Sequence, residues 1–270
     1  MIMMRQPFIY ALLLFSCASP SWTSAEEYPP DGGMPALFAE GKYFLKGRNP
    51  VRLCVDPDWE PYERLDENGR HVGIIAGYFS LLQKRSTIRM EVEPTRNWAQ
   101  SMEFIKQRRC DIISALNDSE ERNTYLSFTA PFIREPSVLI TRADVNHPVR
   151  LQDMAGKTMA VVAGYIYDTN LRLDYPDIER IYVDNIQDGL RQVAEGKIDG
   201  ILGRRLAMDY WIRKLRLDSL AASELIQYQS LLRIGVRNDY GELYLILNRA
   251  IKSLNNQDHR RLRQAYIIPR

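Results

Sequence analysis

The chain has 270 residues and a formal net charge of +2, with 45% hydrophobic and 26% charged residues. That length holds two modest domains or one large one. So even a charge balance gives no footing for nucleic acid or an anionic membrane surface as partner.

Met1–Ala25 reads as a secretory signal peptide: Arg5, then the apolar run Phe8–Phe15, then small residues Thr23–Ala25 before Glu26. Phe8–Phe15 is too short to span a bilayer, and no other segment approaches the roughly 20 apolar residues a membrane helix needs. A lipoprotein reading at Cys17 places bulky Phe15 where a small residue is usual, so cleavage after Ala25 is the expectation. Removing Met1–Ala25, whose only charged residue is Arg5, leaves 2 − 1 = +1. The mature product is then expected in the periplasm, soluble and monomeric. Two cysteines remain there, Cys54 and Cys110. In an oxidising compartment they are either a disulfide or two buried thiols. His71, His147 and His259 make no metal-ligand spacing, and no cofactor is expected.

Residues 26–47 form a leader with helical spacing around Ala36–Leu45. Val51–Val55 reads as a strand, ended by the loop Asp56–Tyr62, which two prolines stiffen and which displays Trp59 and Tyr62. Asp66–Gly69 carries an Asn-Gly hairpin signal. Helical spacing follows over Gly73–Lys84, a strand at Ile88–Val92, and a second helix over Trp98–Arg108.

The stretch Asp111–Phe132 carries the clearest chemistry. Strand Ile112–Ile113 runs into Ser114–Asn117, and Ser119 reads as a helix N-cap with Glu120 and Glu121 in the first turn. Backbone N–H groups at such a junction converge, and Arg122 can join them as a two-pronged seat for a carboxylate. The alternative is a surface arginine paired with Glu120 or Glu121.

Ser137–Thr141 reads as a fourth strand of this half, and Asp144–Pro148 as a crossing to a second lobe. There the plan restarts: strand Thr158–Val162, the Gly164 turn, helix Asp168–Leu173, strand Ile181–Val183, helix Gln187–Glu195, strand Ile198–Leu202 and helix Leu206–Lys214. Strand Leu231–Val236 and the amphipathic helix Glu242–Leu254 return to the first lobe. Lobe 1 is expected over 48–143 and 235–270 and lobe 2 over 144–234, with hinges near Thr141–Val145 and Leu232–Val236. Alternating strands and helices imply α/β lobes, each a mostly parallel sheet flanked by helices. Ligands of such sheets sit at the carboxyl ends of strands. The converging loops are therefore Asp56–Tyr62, Ser114–Arg122, Gly164–Tyr167 and Gly203–Arg205.

The runs CVDPDWEPYE (Cys54–Glu63), SEERNTYLSFTAPF (Ser119–Phe132), GKTMAVVAGYIYD (Gly156–Asp168) and YVDNIQDGLRQVAEGKIDG (Tyr182–Gly200) resemble family 3 of the bacterial extracellular solute-binding proteins. The likeness runs from about Val51 to Ala265. It is strongest to the Venus-flytrap ligand domains of membrane-bound sensor kinases and diguanylate cyclases. It implies a two-lobed periplasmic-binding-protein (type II, Venus-flytrap) fold. By that resemblance, Arg122 grips a ligand carboxylate. Ser114, Ala115 and Asn117 supply further donors, while Trp59 and Trp98 form aromatic walls. Gly164, Tyr165 and Ile166 close over the ligand from lobe 2, Tyr165 standing where small hydroxyl residues are common. Asp56 and Tyr62 complete the expected set.

One departure bears on the ligand. Amino-acid binders of the family usually carry an aspartate after the strand matching Ile198–Leu202, to accept the ligand's ammonium. Here the run is Gly203-Arg204-Arg205. A cation there disfavours an ammonium and suits a dianion held by Arg122 and Arg204. Arg204 could instead bridge to Asp56, Asp58 or Glu60, or face solvent. The expected function is an extracytoplasmic solute-binding protein closing around a small carboxylate-bearing ligand, for an ABC transporter or for sensing. Alternatives are a sensing module acting through a separate membrane protein, since the chain stops at Arg270, and a cyclohexadienyl-dehydratase-like enzyme. No nucleophile–histidine pair is evident in the sequence, so no catalytic residue is assigned.

Overall fold

A computed structural model describes residues 50–264, all within one compact unit of the chain, 35–270. The expected signal peptide, the leader with its helical spacing, and the last six residues lie outside the described residues. Lobe 1 opens on β1 (Val51–Cys54). A small antiparallel sheet of β2 (Asp58–Trp59), β3 (Glu63–Leu65) and β4 (His71–Val72) follows, with the Asn-Gly tip between β3 and β4 and Gly69 at φ 72°. Next come α1 (Ile74–Ser86), β5 (Met90–Val92), α2 (Trp98–Lys106) and β6 (Ile112–Leu116). Both β5 and β6 lie parallel to β1. Apolar spacing explains the crossover helices: α1 buries Ile74, Ile75, Tyr78, Phe79 and Leu82 along one stripe. The side chain of Asn97 caps α2 by accepting from the Gln100 N–H at 2.9 Å. The single-turn helix α3 (Glu120–Asn123) and β7 (Leu126–Phe128) end this part of the lobe.

Lobe 2 is built from β8 (Ile133–Arg142), β9 (Thr158–Val162), α4 (Ile166–Asp174), β10 (Glu179–Val183), α5 (Ile186–Ala194), β11 (Gly200–Arg204), α6 (Arg205–Leu215) and the first part of β12 (Leu220–Arg237). Strands β9, β10 and β11 are parallel, and β8 joins β11 antiparallel. The chain then returns to lobe 1 through α7 (Gly241–Lys252) and α8 (Asn256–Gln264). Helix α8 is fixed to α1 by Arg85–Asp258 at 2.7 Å and by the Tyr78 hydroxyl against His259 Nδ1 at 2.7 Å.

The strand order β10-β9-β11-β8-β12-β6-β1-β5, with β7 also on β12, shows how the lobes are joined. The long strand β12 pairs with β8 as far as Leu232, opposite Ile133, and from Arg233 onward with β6 and β7. This corrects the expectation for Ser137–Thr141. That segment pairs with β11 and β12, so residues 133–142 go with lobe 2 and not with 48–143. The first crossing accordingly lies just before Ile133, not at Thr141–Val145. Asp144–Pro148 marks the far end of the β8–β12 ribbon, where the Ala143 N–H donates to Ser219 O at 2.7 Å. An apolar strand reads the same whichever neighbour it pairs with, and a polar Pro-bearing break reads the same in a loop or a hinge.

Cys54 and Cys110 are joined, with Sγ atoms 1.98 Å apart. The bond ties the end of β1 to the chain entering β6 across a sequence separation of 56, and its neighbours include buried Ile113, Leu116 and Leu126. Closing a loop of that length in the unfolded chain is worth about 4 kcal/mol in the chain-entropy model. Denaturant unfolding of Cys54→Ala/Cys110→Ala, or of protein held in reductant, should show a loss of that order. An unchanged midpoint would show that this staple contributes nothing.

Candidate functional site

The loops after β1, β6, β9 and β11 meet between the lobes, around a cavity of about 20 Å³. That is room for roughly one water molecule. Among the residues facing it are Asp56 and Trp59 from the first loop, Ala115, Asn117 and Arg122 from the β6–α3 connection, and Arg204 from the end of β11. Trp98, Tyr165 and Ile166 complete the expected members of the lining, and Leu116 joins them unanticipated.

Arg122 is placed by its own short helix. Ser119 Oγ accepts from the Arg122 N–H at 3.3 Å, starting the turn that points the side chain inward. The side chain is 6% exposed, so it is not a surface arginine, and Glu121 pairs instead with Lys106 at 3.0 Å. Its Nη1 donates to Asn117 O at 2.6 Å, and its Nη2 reaches across to Gly164 O in lobe 2 at 2.8 Å. The same carbonyl accepts from Trp98 Nε1 at 3.0 Å. Gly164 has φ +80°, and a Cβ there would lie 3.2 Å from the Trp98 ring, so the turn needs glycine on both counts. Among the described residues no carboxylate pairs with Arg122. Burial pulls its pKa down to about 10; Tyr125 opposes the shift and the charge of Arg204 adds to it.

Arg204 is equally buried, its guanidinium stacked over Trp59 at 4.6 Å from the ring centre. Its Nη2 donates to Asn117 Oδ1, which also accepts from Ser230 Oγ at 2.9 Å, while its Nε is buried without a partner. Arg204 therefore does cross to lobe 1, but to an amide and a ring face. The three acids that it might have met are engaged by other lobe-2 groups. Asp56 Oδ2 accepts from the Tyr165 hydroxyl at 2.7 Å, and Asp58 Oδ1 from Gln187 Nε2 at 2.9 Å. Glu60 accepts from the Tyr210 hydroxyl at 3.1 Å and from Lys214 Nζ at 3.0 Å.

Tyr165 fills the middle of the interface, its ring 6.3 Å from Trp59 and 6.2 Å from Trp98, both edge-on. Asp56 beneath it is buried, and desolvation pushes its carboxyl up to about 7, although the Tyr165 hydrogen bond works the other way. Three expected residues are outside the lining: Gly164, whose carbonyl meets Arg122 and Trp98, and two that stand behind the wall. Tyr62 is 1% exposed and stacks on Trp59 with ring centres 4.5 Å apart. Ser114 donates to Glu63 Oε1 at 2.6 Å, an oxygen that also accepts the Asp56 N–H at 3.0 Å, while His71 Nε2 lies 2.8 Å from Glu63 Oε2. These two hold the wall in place. Sequence reasoning missed the cross-lobe partners Gln187, Tyr210, Lys214 and Ser230. Gln187 had a usable signal, since it sits in the first turn of a helix capped by Asn185.

The family model for bacterial extracellular solute-binding proteins, family 3, matches residues 51–268. The virulence sensor protein BvgS of Bordetella pertussis is 24% identical over 238 residues, 88% of this chain but only 19% of that protein's length. The ABC transporter arginine-binding protein 1 of Escherichia coli is 23% identical over 81% of this chain and 90% of its own. Among solved structures, the periplasmic VFT2 domain of Bordetella pertussis BvgS superposes with a TM-score of 0.75 at 23% identity, over 85% of this chain and 98% of that one. A histidine kinase sensor domain with similarity to periplasmic binding proteins gives 0.74 at 22% identity, over 81% and 96%. Among the described residues no helix is long and apolar enough to cross a membrane. These relatives are binding and sensor proteins, and their solved domains share the two-lobed α/β arrangement described above. The chain belongs to family 3 of the bacterial extracellular solute-binding proteins and has their Venus-flytrap fold.

Proposed function

We propose that the protein works outside the cytoplasm as a ligand-binding module that closes around a small, carboxylate-bearing anion, for uptake or sensing. The observation that carries this reading is the meeting of two buried guanidinium groups, Arg122 and Arg204, on the single residue Asn117 with no carboxylate among the described residues paired to either. A ligand anion would take the guanidinium N–H groups from the Asn117 and Gly164 oxygens, replacing neutral acceptors with charge-assisted ones. Such bonds are worth roughly 1.5–3 kcal/mol each. Because the donors come from both lobes, binding would favour the closed arrangement over an open one.

An ammonium group beside Arg204 meets the opposite balance. Two cations about 5 Å apart repel by roughly 3 kcal/mol at an intermediate dielectric. A dicarboxylate therefore suits this cleft better than arginine, which two relatives are named for binding. The sensing branch is favoured by the likeness to the BvgS and EvgS sensor proteins. Catalysis is not proposed. His71 lies behind the wall on Glu63, His147 is near Ser223, and His259 is on Tyr78, so none of them reaches the cleft lining.

Native mass spectrometry of the exported protein should detect a retained acidic ligand. In calorimetry, small dicarboxylates should bind and zwitterionic amino acids should not; tight binding of a neutral amino acid would sink the dianion reading. Arg122→Ala should weaken the acidic ligand by at least about 30-fold, the scale of a hot-spot residue. Arg204→Gln should weaken a dicarboxylate more than a monocarboxylate, and equal losses would remove Arg204 from the site.

Asp56 adds a pH signature. Its folded pKa is raised to about 7 from 3.8, so between those values the folded protein holds a proton that the unfolded chain has released. The corresponding stability is complete below about pH 4 and lost as pH rises through 7. Melting curves of wild type and Asp56→Asn, which keeps an acceptor for Tyr165, should diverge over that window, with wild type falling relative to the variant. Parallel curves would show that Asp56 is ionised throughout.

A further inference from the structure

A second cavity, of about 350 Å³, lies at the first lobe crossing, separate from the cleft. One wall is the chain entering β8: Phe132 and Ile133, both buried, and then Arg134, which is exposed. The other wall is helix α8, which presents His259 and Arg260 and, one turn on, Arg263. Among the described residues, none of the three arginines forms an ion pair. Arg134 has a single long bond, from Nη1 to Gln229 Oε1 at 3.3 Å. Of the acids nearby, Asp258 is held by Arg85 at 2.7 Å, while Glu135, half-buried and lining the neighbouring cavity, feels the charge of Arg263 without forming an ion pair with it.

The groove thus combines an apolar floor with three guanidinium groups that, among the described residues, form no ion pair, in a volume within the usual range for small-molecule sites. Its floor is fixed, since the Phe132 N–H donates to Leu232 O at 2.9 Å and the Ala130 N–H to Asn248 Oδ1 at 2.7 Å. So is its helical wall, through the Tyr78–His259 and Arg85–Asp258 contacts. Planar guanidinium forks match the paired oxygens of a phosphate or carboxylate head, and the Phe132–Ile133 floor suits a short apolar body.

We propose that this groove is a second ligand site, for a small organic anion carrying a phosphate or carboxylate head on an apolar body. It does not depend on the cleft reading, because it shares no residue with that lining. The site straddles the crossing: Arg134 begins the strand that runs into lobe 2, whereas Arg260 and Arg263 ride on lobe 1. An anion held by both would bias the hinge that opens the cleft.

Phenyl phosphate titrated calorimetrically into the exported protein tests the proposal. Wild type should bind it, and bind inorganic phosphate at least several-fold more weakly. The double variant Arg260→Gln/Arg263→Gln should lose tenfold or more in affinity, and Arg134→Gln, on the opposite wall, should lose several-fold. All three side chains are exposed, so the variants should melt as wild type does. Arg122→Gln controls for capture in the cleft and should still bind phenyl phosphate, with affinity shifted by no more than the coupling through the hinge. Absent binding by wild type, unchanged affinity in the double variant, or loss of binding in Arg122→Gln would each overturn the site; equal affinity for inorganic phosphate would overturn the organic class.

Discussion

At the heart of the closed arrangement one guanidinium bridges the two lobes through carbonyl oxygens alone. Taking a cation out of water is costly, and neutral acceptors offset that less well than a carboxylate would. Arg122 is nonetheless held by an N-capped turn on one side and by the Gly164 carbonyl on the other. Arg204, close enough to lower the Arg122 pKa, intensifies the local positive field. Asn117 is the hub of this arrangement, its backbone oxygen serving one arginine and its side-chain oxygen the other. The site is therefore built with two cations lacking a carboxylate partner among the described residues, while its acids, Asp56 in the lining included, are spent on other donors.

The acids of the loop after β1 also help to hold the lobes together. Asp56 with Tyr165, Asp58 with Gln187, and Glu60 with Tyr210 and Lys214 form a row of cross-lobe hydrogen bonds along one side of the interface. Any ligand larger than the residual space has to displace part of that row, Tyr165 above all. Its apparent affinity is then its intrinsic affinity reduced by the work of parting these contacts. Selectivity can arise from the same competition, because a solute that satisfies both arginines recovers more than one that satisfies a single one.

Much of this was legible in the chain. Helical and alternating periodicity located the crossover units, and the rule that ligands sit at strand carboxyl ends picked out four loops that do meet. Ser119 as an N-cap was readable because capping is a local matter, settled within three residues. The pairing of β8 was not, since strand partners are chosen by tertiary contacts that no local pattern records. Tyr62 and Ser114 look like cleft residues from position alone. Only packing shows one stacked behind Trp59 and the other spent on Glu63. The direction of Arg204 was equally closed to sequence, because a bridge to an acid and one to Asn117 follow from the same three residues.

The two-strand crossing also fixes where motion can be felt. The described chain enters at β1 and leaves at α8, and both belong to lobe 1, so the backbone connects lobe 2 to it through the start of β8 and the middle of β12. Lobe 2 is thus a pendant body: a load drawn between residues 51 and 264 strains its anchor and leaves the pendant unstretched. A reporter fused near either of those residues would sit on the stationary half. One grafted onto the outer loops of lobe 2, such as the turn between α4 and β10, would ride with the swing.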